Sequence, residues 1–469
     1  MSGSGLSRRE FLARSARFGV AGSAVAAAVW QGRNWLRSRE GAPVVVIGSG
    51  AAGIAASLAL MERGVPVVMM EAGRWDTSDD GLMSEEYRSS GEWSFPWYRL
   101  RQVGGKLNQW KAHCPRFSAA DFDGHKQEGF RWPVRYQEIA PYYTRIERIL
   151  GVVGEASGEE DLPNGEFVGA FRTRVFEVDL ARKLAERGLL LTQGRYAVYP
   201  AAMERSRNGA IALTRDRALE RTIDYFRPQG AFRNVLRPDP SFSMLLGAQA
   251  LRIETDSDSN RPEAVTFINR ATGREETLRA SSVVLAAGCL ESTKLLLHST
   301  NERYPAGLGN TSGTLGRYLT DHTQAGVFVR APETVDMSDL NRDGIRRPEA
   351  FGSYLHAYTA AALREAPELA GMYSFQVFGA RRKGHTIIGF TGMGVMEPRA
   401  ENGMRLTGEL SGSGVPIPEF RVGFTEEDLS RQRRMMRVAD ELAQEFRPIE
   451  ELNRFTQTSS CLLYTSPSP

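Results

Sequence analysis

An unbroken β-branched run, Val44-Val45-Val46-Ile47, leads straight into Gly48-Ser49-Gly50-Ala51-Ala52-Gly53, and this junction constrains the chain more than any other. A short strand with no polar alternation suits the middle of a parallel sheet whose two faces are both covered. Small and aliphatic residues from Ile54 to Arg63 keep helical spacing up to Gly64, after which Val65 to Met70 read as a second apolar strand closing on Glu71. Strand, glycine turn, helix, strand and acid in that order describe a dinucleotide-binding unit. Gly48 permits the tight turn, Gly50 lets the backbone come close to a diphosphate, and Gly53 lets helix and strand pack closely. Ser49 and Ala52 lie in the same turn, where the helix N-terminus offers N–H groups and a partial positive charge. Glu71, 23 residues beyond Gly48, is placed to accept the ribose hydroxyls of an adenosine.

The 469 residues, 41% apolar and 25% charged, suffice for a large core and two lobes. The formal net charge is +3, yet residues 1–40 hold seven arginines and two glutamates, so the remainder is slightly acidic. That distribution excludes a global electrostatic case for nucleic acid as a partner. Cys114, Cys289 and Cys461, with no CxxC and no histidine cluster, give neither a disulfide framework nor a metal site. The basic charge belongs to a leader: Ser7-Arg8-Arg9-Glu10-Phe11-Leu12 ahead of the mildly apolar run Phe18 to Trp30 reads as a twin-arginine signal. That run is shorter than the roughly 20 residues a membrane span needs. The expectation is an exported, periplasmic protein that folds around its cofactor first, with cleavage near Ala24 to Ala28 and a retained membrane association both left open.

Further along come Arg101-Gln102-Val103-Gly104-Gly105, Lys106-Leu107-Asn108-Gln109-Trp110 and His113-Cys114-Pro115-Arg116-Phe117, then Trp132-Pro133 and Tyr136 to Tyr143 with Glu147. After Ser243, Met244 to Glu254, Ala264 to Asn269 and Glu275 to Arg279 read as an antiparallel meander separated by polar turns. The chain then returns to an apolar strand, Val283 to Ala287, followed by Gly288-Cys289-Leu290-Glu291-Ser292 and a helix to His298. Gly307-Leu308, Asn310-Thr311-Ser312-Gly313, Leu315-Gly316-Arg317 and Asp321-His322 come next. In this order the segments resemble those of the glucose-methanol-choline (GMC) oxidoreductases, most closely the sugar-oxidising members.

The resemblance implies an α/β fold: an FAD-binding Rossmann-like parallel sheet with a β-meander insertion, plus an α+β substrate domain built on an antiparallel sheet. It implies FAD as cofactor, with Gly104, Gly105, Asn108 and Trp110 under the flavin and diphosphate, and Ala250 and Ala287 where strand backbone lies against the nucleotide. Some sugar oxidases carry a flavin-linked histidine where this chain has Gln109, so the FAD is expected to be non-covalent. Lys106-Leu107 also departs from the small hydroxyl residues usual after the glycines. The implied domains are a signal segment 1–40, FAD-binding parts 41–150 and 231–322, a cap insertion 151–230, and a substrate domain 323–460, where Glu397-Pro398, Asn402 and Met404-Arg405-Leu406 match a strand pair of the family.

The implied activity is oxidation of an alcohol (CH–OH) group of a sugar, sugar acid or related alcohol by hydride transfer to flavin, with a cytochrome or quinone as electron acceptor. A base must take the hydroxyl proton; in the family it is a histidine in a late H-x-x-G-T-type segment, paired with a second His or Asn. None of His113, His125, His298, His322, His356 and His385 sits in such a context, so no catalytic residue is assigned. The tail Cys461 to Pro469 back-translates to a sequencing-adapter-like stretch, and the pair is expected beyond Ser460. The fragment as written is then expected to bind FAD poorly and turn over little. A non-catalytic flavin-binding electron-transfer subunit and an NAD-dependent dehydrogenase are the competing readings.

Overall fold

The computed structural model describes residues 41–74, 86–90, 100–108, 113–123, 132–160, 162–186, 189–197, 241–340, 343–345, 353–356, 373–382 and 385–457. The leader 1–40, Gln109, Trp110, His125 and the tail lie outside the described residues, as does 198–230 of the expected cap.

The first unit runs β1 (Val44–Ile47), α1 (Ala51–Met61), β2 (Val67–Glu71) and a short β3 (Arg88–Ser89). Then follow α2 (Ala119–Asp123), α3 (Tyr136–Leu150), β4 (Val152–Val153), α4 (Val175–Ala185), β5 (Leu190–Gln193) and β6 (Tyr196–Ala197). Next are β7 (Phe242–Leu246), β8 (Ala248–Thr255), β9 (Pro262–Asn269), β10 (Arg274–Arg279), β11 (Ser282–Leu285) and α5 (Cys289–His298). The last stretch holds β12 (His322–Ala331), β13 (Ser353–His356), β14 (Tyr373–Arg382), β15 (His385–Val395), β16 (Gly403–Leu410), β17 (Pro416–Arg421), α6 (Glu426–Gln444) and β18 (Glu450–Gln457).

Four parallel strands in the order β11-β1-β2-β7 form the nucleotide lobe's sheet, with Val45 opposite both Val283 and Val68. The pleat explains the unbroken apolar run. Val44 and Val46 face a cluster with Ile54 of α1 and Leu150 of α3, while Val45 and Ile47 face the β8–β10 meander through Ile253, Val265 and Leu278. The single strand read over Met244 to Glu254 is two strands: Gly247, at φ +66°, turns the chain from the parallel sheet into the meander.

The second lobe is a six-stranded antiparallel sheet, β18-β12-β15-β14-β13-β5. One face is sealed by α6, whose fully buried Met435, Ala439 and Leu442 pack on Val327, Phe375 and Phe390. That helix starts where Thr425 Oγ1 accepts from the Asp428 N–H and the Asp428 carboxylate accepts from the Thr425 N–H. The described residues between 151 and 197 are shared between the lobes. Val152 and Ala197 lie in the nucleotide-lobe core, whereas Phe176, Leu180 and Leu184 of α4 join the α6 core and β5 edges the large sheet.

Behind α3 a buried ion pair ties distant segments together. Arg116 donates from Nε to Glu147 Oε1 at 2.7 Å and from Nη2 to Oε2 at 2.6 Å, with both side chains 4% exposed. Glu147 Oε2 also accepts the Glu166 N–H, and a Cβ at Gly165 would fall 2.4 Å from Glu147 Oε1. Nearby, burial pushes the Cys114 thiol up to about 12. Cys114 should therefore resist iodoacetamide in the folded protein at pH 8 and react once the protein is unfolded in urea, which peptide mass spectrometry reads directly; equal labelling in both states refutes this.

Candidate functional site: a glycine cradle at the end of β1

The turn after β1 is set by backbone packed on backbone. The Gly48 N–H donates to Met70 O at 2.8 Å, and its φ of +105° is one that side-chain-bearing residues rarely adopt. A Cβ on Gly48 would sit 2.4 Å from Ala286 O, and one on Gly53 would sit 1.9 Å from Gly48 O. Gly50 differs: no atom lies within 4 Å of where its Cβ would be. The open side of Gly50, directly before α1, is the place where a ligand can touch main chain. The first helical hydrogen bond runs from Ile54 N to Gly50 O, so the N–H groups of the first turn, Ala52 included, have no partner within the helix.

Glu71, 7% exposed at the end of β2, faces this turn. Its Oε2 accepts from the Ser49 N–H at 3.1 Å and the Ser49 hydroxyl at 2.5 Å, and its Oε1 accepts from the Gly73 N–H at 2.7 Å. Burial holds the carboxyl above the usual carboxylate range; the Ser49 and Gly73 bonds and the nearby Arg101 charge oppose that rise. Arg101 is itself lowered to about 10, first by burial and then by Arg270.

Ser49, expected in the turn, also bridges to a second segment. Its hydroxyl donates to Glu71 and accepts the Gly104 N–H at 3.0 Å, so one buried oxygen joins the first glycine turn to the second, 55 residues away. Gly105 sits against Gly50, with a Cβ position 3.6 Å from Gly50 Cα. The Val103 N–H donates to Arg74 O, and a side chain at Gly73 would strike Arg101 O at 2.1 Å, so residues 101–105 run tightly beside the end of β2. Ser49→Ala removes both hydroxyl bonds, one to a charged group, and should weaken FAD binding about tenfold or more by fluorescence titration. Wild-type affinity in that variant refutes the link.

The structure thus brings Gly48, Ser49, Gly50, Ala52, Gly53, Glu71, Gly104 and Gly105 together. Asn108 ends a 3₁₀ turn from Gly105, and Trp110 lies outside the described residues. Ala250 and Ala287 pack, partly buried, against the meander-side apolar layer, and Ala287 directly follows Ala286, whose carbonyl limits Gly48. Gly73 stood in the sequence only as the end of the Glu71-Ala72-Gly73 stretch, which resembles the E-x-G ending of FAD proteins, and Arg101 carried no signal of its own. A cradle with main chain exposed at Gly50, helix N–H groups beside it and a buried carboxylate at the adjoining strand end fits the diphosphate and ribose of FAD.

Of the described histidines, His298 Nδ1 lies 3.0 Å from Leu251 O, while His322 and His385 open β12 and β15. His113 packs on Tyr196 at 4.4 Å and lies 3.2 Å from Gln376 Nε2 of β14. Among the described residues no group of three His, Cys, Asp or Glu is arranged to hold a metal, and no helix is long and apolar enough to cross a membrane.

Fold and cradle define a two-lobe flavoprotein, and residues 43–78 match the family described as FAD binding domain. That match supports FAD as the cofactor, in a chain whose ordered segments resemble those of the GMC oxidoreductases. It is 31% identical over 324 residues to paromamine 6'-oxidase of Streptomyces fradiae, covering 63% of this chain and 57% of that protein. It is 28% identical over 316 residues to 2-methyl-1,2-propanediol dehydrogenase of Mycolicibacterium austroafricanum, covering 61% and 56%. The chain therefore spans little more than half the length of these two relatives. Pyridoxine 4-oxidase from Mesorbium loti shares the fold with a TM-score of 0.57 at 18% identity, covering 88% of this chain and 83% of that one. Formate oxidase of Aspergillus oryzae does so at 0.59 and 14%, covering 91% and 85%.

Proposed function

We propose that this chain is part of an FAD-dependent oxidoreductase that oxidises an alcohol group of a sugar or related alcohol. The reading rests on one observation: the two glycine segments, joined by Ser49 and Glu71, meet beside the open face of Gly50 in a chain similar to a paromamine oxidase and a 2-methyl-1,2-propanediol dehydrogenase. FAD held there supplies the hydride acceptor. The chain's own residues seat the cofactor: Glu71 takes the ribose, the first turn of α1 with Gly50 and Gly105 takes the diphosphate, and the meander covers the far face of the sheet. With Gln109 at the position of the flavin-linked histidine, the cofactor is bound non-covalently. The Arg8-Arg9 leader supports export by the twin-arginine route to the periplasm, where a quinone or cytochrome is the electron acceptor.

Anaerobic addition of sugars and short diols to the FAD-loaded full-length protein should bleach the flavin band near 450 nm. Colour restored by a quinone analogue faster than by air supports the dehydrogenase form. A purified full-length protein that is colourless and indifferent to added FAD overturns the whole reading, and acid precipitation that leaves flavin on that protein overturns non-covalent binding.

A further inference from the structure

The carboxylate of Asp321 has a hydrogen-bonding need that the fold leaves unmet. The residue is partly buried and sits where the chain leaves the nucleotide lobe, immediately before β12. Its Oδ1 accepts the N–H of its own neighbour, His322, at 2.7 Å. Its Oδ2 is buried and, among the described residues, meets no donor. A carboxylate oxygen taken out of water without a hydrogen bond is costly, and folded proteins rarely leave one so. The missing donor then has to come from outside the chain.

Packing and charge place this oxygen beside the cofactor cradle. Leu319, two residues upstream, joins one apolar cluster with Leu290 and Leu297 of α5, so Asp321 lies near the start of that helix. Cys289, the first residue of α5, feels the carboxylate: burial raises the thiol most, the Lys106 ammonium lowers it, and Asp321 adds to the rise. Lys106 directly follows Gly105, whose Cβ position is 3.6 Å from Gly50 Cα. Cys289 in turn lies shortly after Ala286, whose carbonyl limits Gly48. Asp321 therefore stands next to the segments that carry both glycine turns.

The chemistry of FAD narrows which part of it can supply the donor. The diphosphate carries only acceptor oxygens at neutral pH and would repel a carboxylate, and the adenosine ribose belongs with Glu71. Past the diphosphate comes the ribityl chain, whose hydroxyls are uncharged donors. We propose that Asp321 Oδ2 accepts a hydrogen bond from a ribityl hydroxyl of FAD, so that the first residue of the substrate lobe's entry strand holds the flavin half of the cofactor. This assignment rests on the FAD-binding part of the reading above and is independent of which alcohol, if any, is oxidised.

A carboxylate that waits for a cofactor and one that supports the fold give opposite results when the flavin is removed. In full-length protein stripped of flavin, Asp321→Asn should unfold at the wild-type temperature or above, since a buried charge without a partner is gone. Asp321→Ala should raise the Kd for FAD about tenfold by fluorescence titration, and Asp321→Asn, which keeps an acceptor oxygen, about threefold or less. The rise in unfolding temperature on saturation with FAD should shrink in the same order. ADP shares the adenosine and diphosphate but has no ribityl chain, so calorimetry should find it bound alike by wild type and both variants. A flavin-free Asp321→Asn that unfolds earlier than wild type, equal losses of ADP and FAD affinity, or an unchanged FAD Kd in Asp321→Ala overturns the assignment. Wild-type protein that takes up no FAD overturns the cofactor reading and this assignment together. Bound FAD that no alcohol bleaches, with the Kd shifts as stated, sinks the enzymatic reading and supports the role of Asp321.

Discussion

Gly48→Ala should purify without flavin and unfold at a lower temperature, whereas Gly50→Ala should keep its fold and lose only its cofactor. The two glycines lie two residues apart, and their surroundings differ in kind. At Gly48 an added Cβ meets three backbone atoms, Ala286 O at 2.4 Å, Ala286 C at 2.7 Å and Ala287 Cα at 2.9 Å. None of them is the end of a flexible side chain, so the pairing of β1 with β11 must part or the turn must move. The left-handed backbone adds about 1–3 kcal/mol of strain for any residue with a side chain. At Gly50 the same methyl meets no protein atom within 4 Å, so it costs the fold little and instead fills the space in which a diphosphate contacts main chain. The ratio of absorbance at 450 to 280 nm and the thermal midpoint of both variants check the pair. Normal flavin content in Gly50→Ala would remove the diphosphate from this turn.

Arg116→Met should lower stability by about 3–5 kcal/mol, because it leaves the Glu147 carboxylate buried without its cation. The Glu147 hydrogen bonds hold the Arg116 guanidinium well above its ordinary range, and that guanidinium also donates to Thr144 and Tyr136. The site has no slack, since Gly165 packs against the carboxylate oxygens. Replacing both partners by apolar residues should recover much of the loss, since no charge is then left buried. Urea denaturation of the single and double variants measures both numbers. A single variant as stable as wild type would show that the pair contributes nothing.

The parts of the fold legible in the sequence are those written by local pattern. The β1-α1-β2 unit was readable because strand, turn, helix and acid follow one another without interruption and each has a distinct composition. The Thr425–Asp428 capping exchange that starts α6 was not singled out. What escaped was set by contacts between distant residues. Ser49 stood in the motif only as the residue between two glycines, and its bond to Gly104 depends on a second segment folding over the first. Arg116 and Glu147 were read as family markers and helix packing, because nothing in either segment tells which carboxylate an arginine will meet. Gly247 marked the break between β7 and β8, yet the apolar residues on both sides of it fit a single strand equally well.

The strand order β11-β1-β2-β7 has a consequence for synthesis on the ribosome. Val45 pairs with Val283, so the chain must emerge for some 240 residues more before the strand that pins the first glycine turn exists. A nascent polypeptide that stops short of Ser282 can form the β1-α1-β2 hairpin of elements but cannot close the wall against which Gly48 rests. Capture of flavin is therefore a late event in the life of the growing chain, and any step that must wait for a loaded protein has to wait for the meander as well.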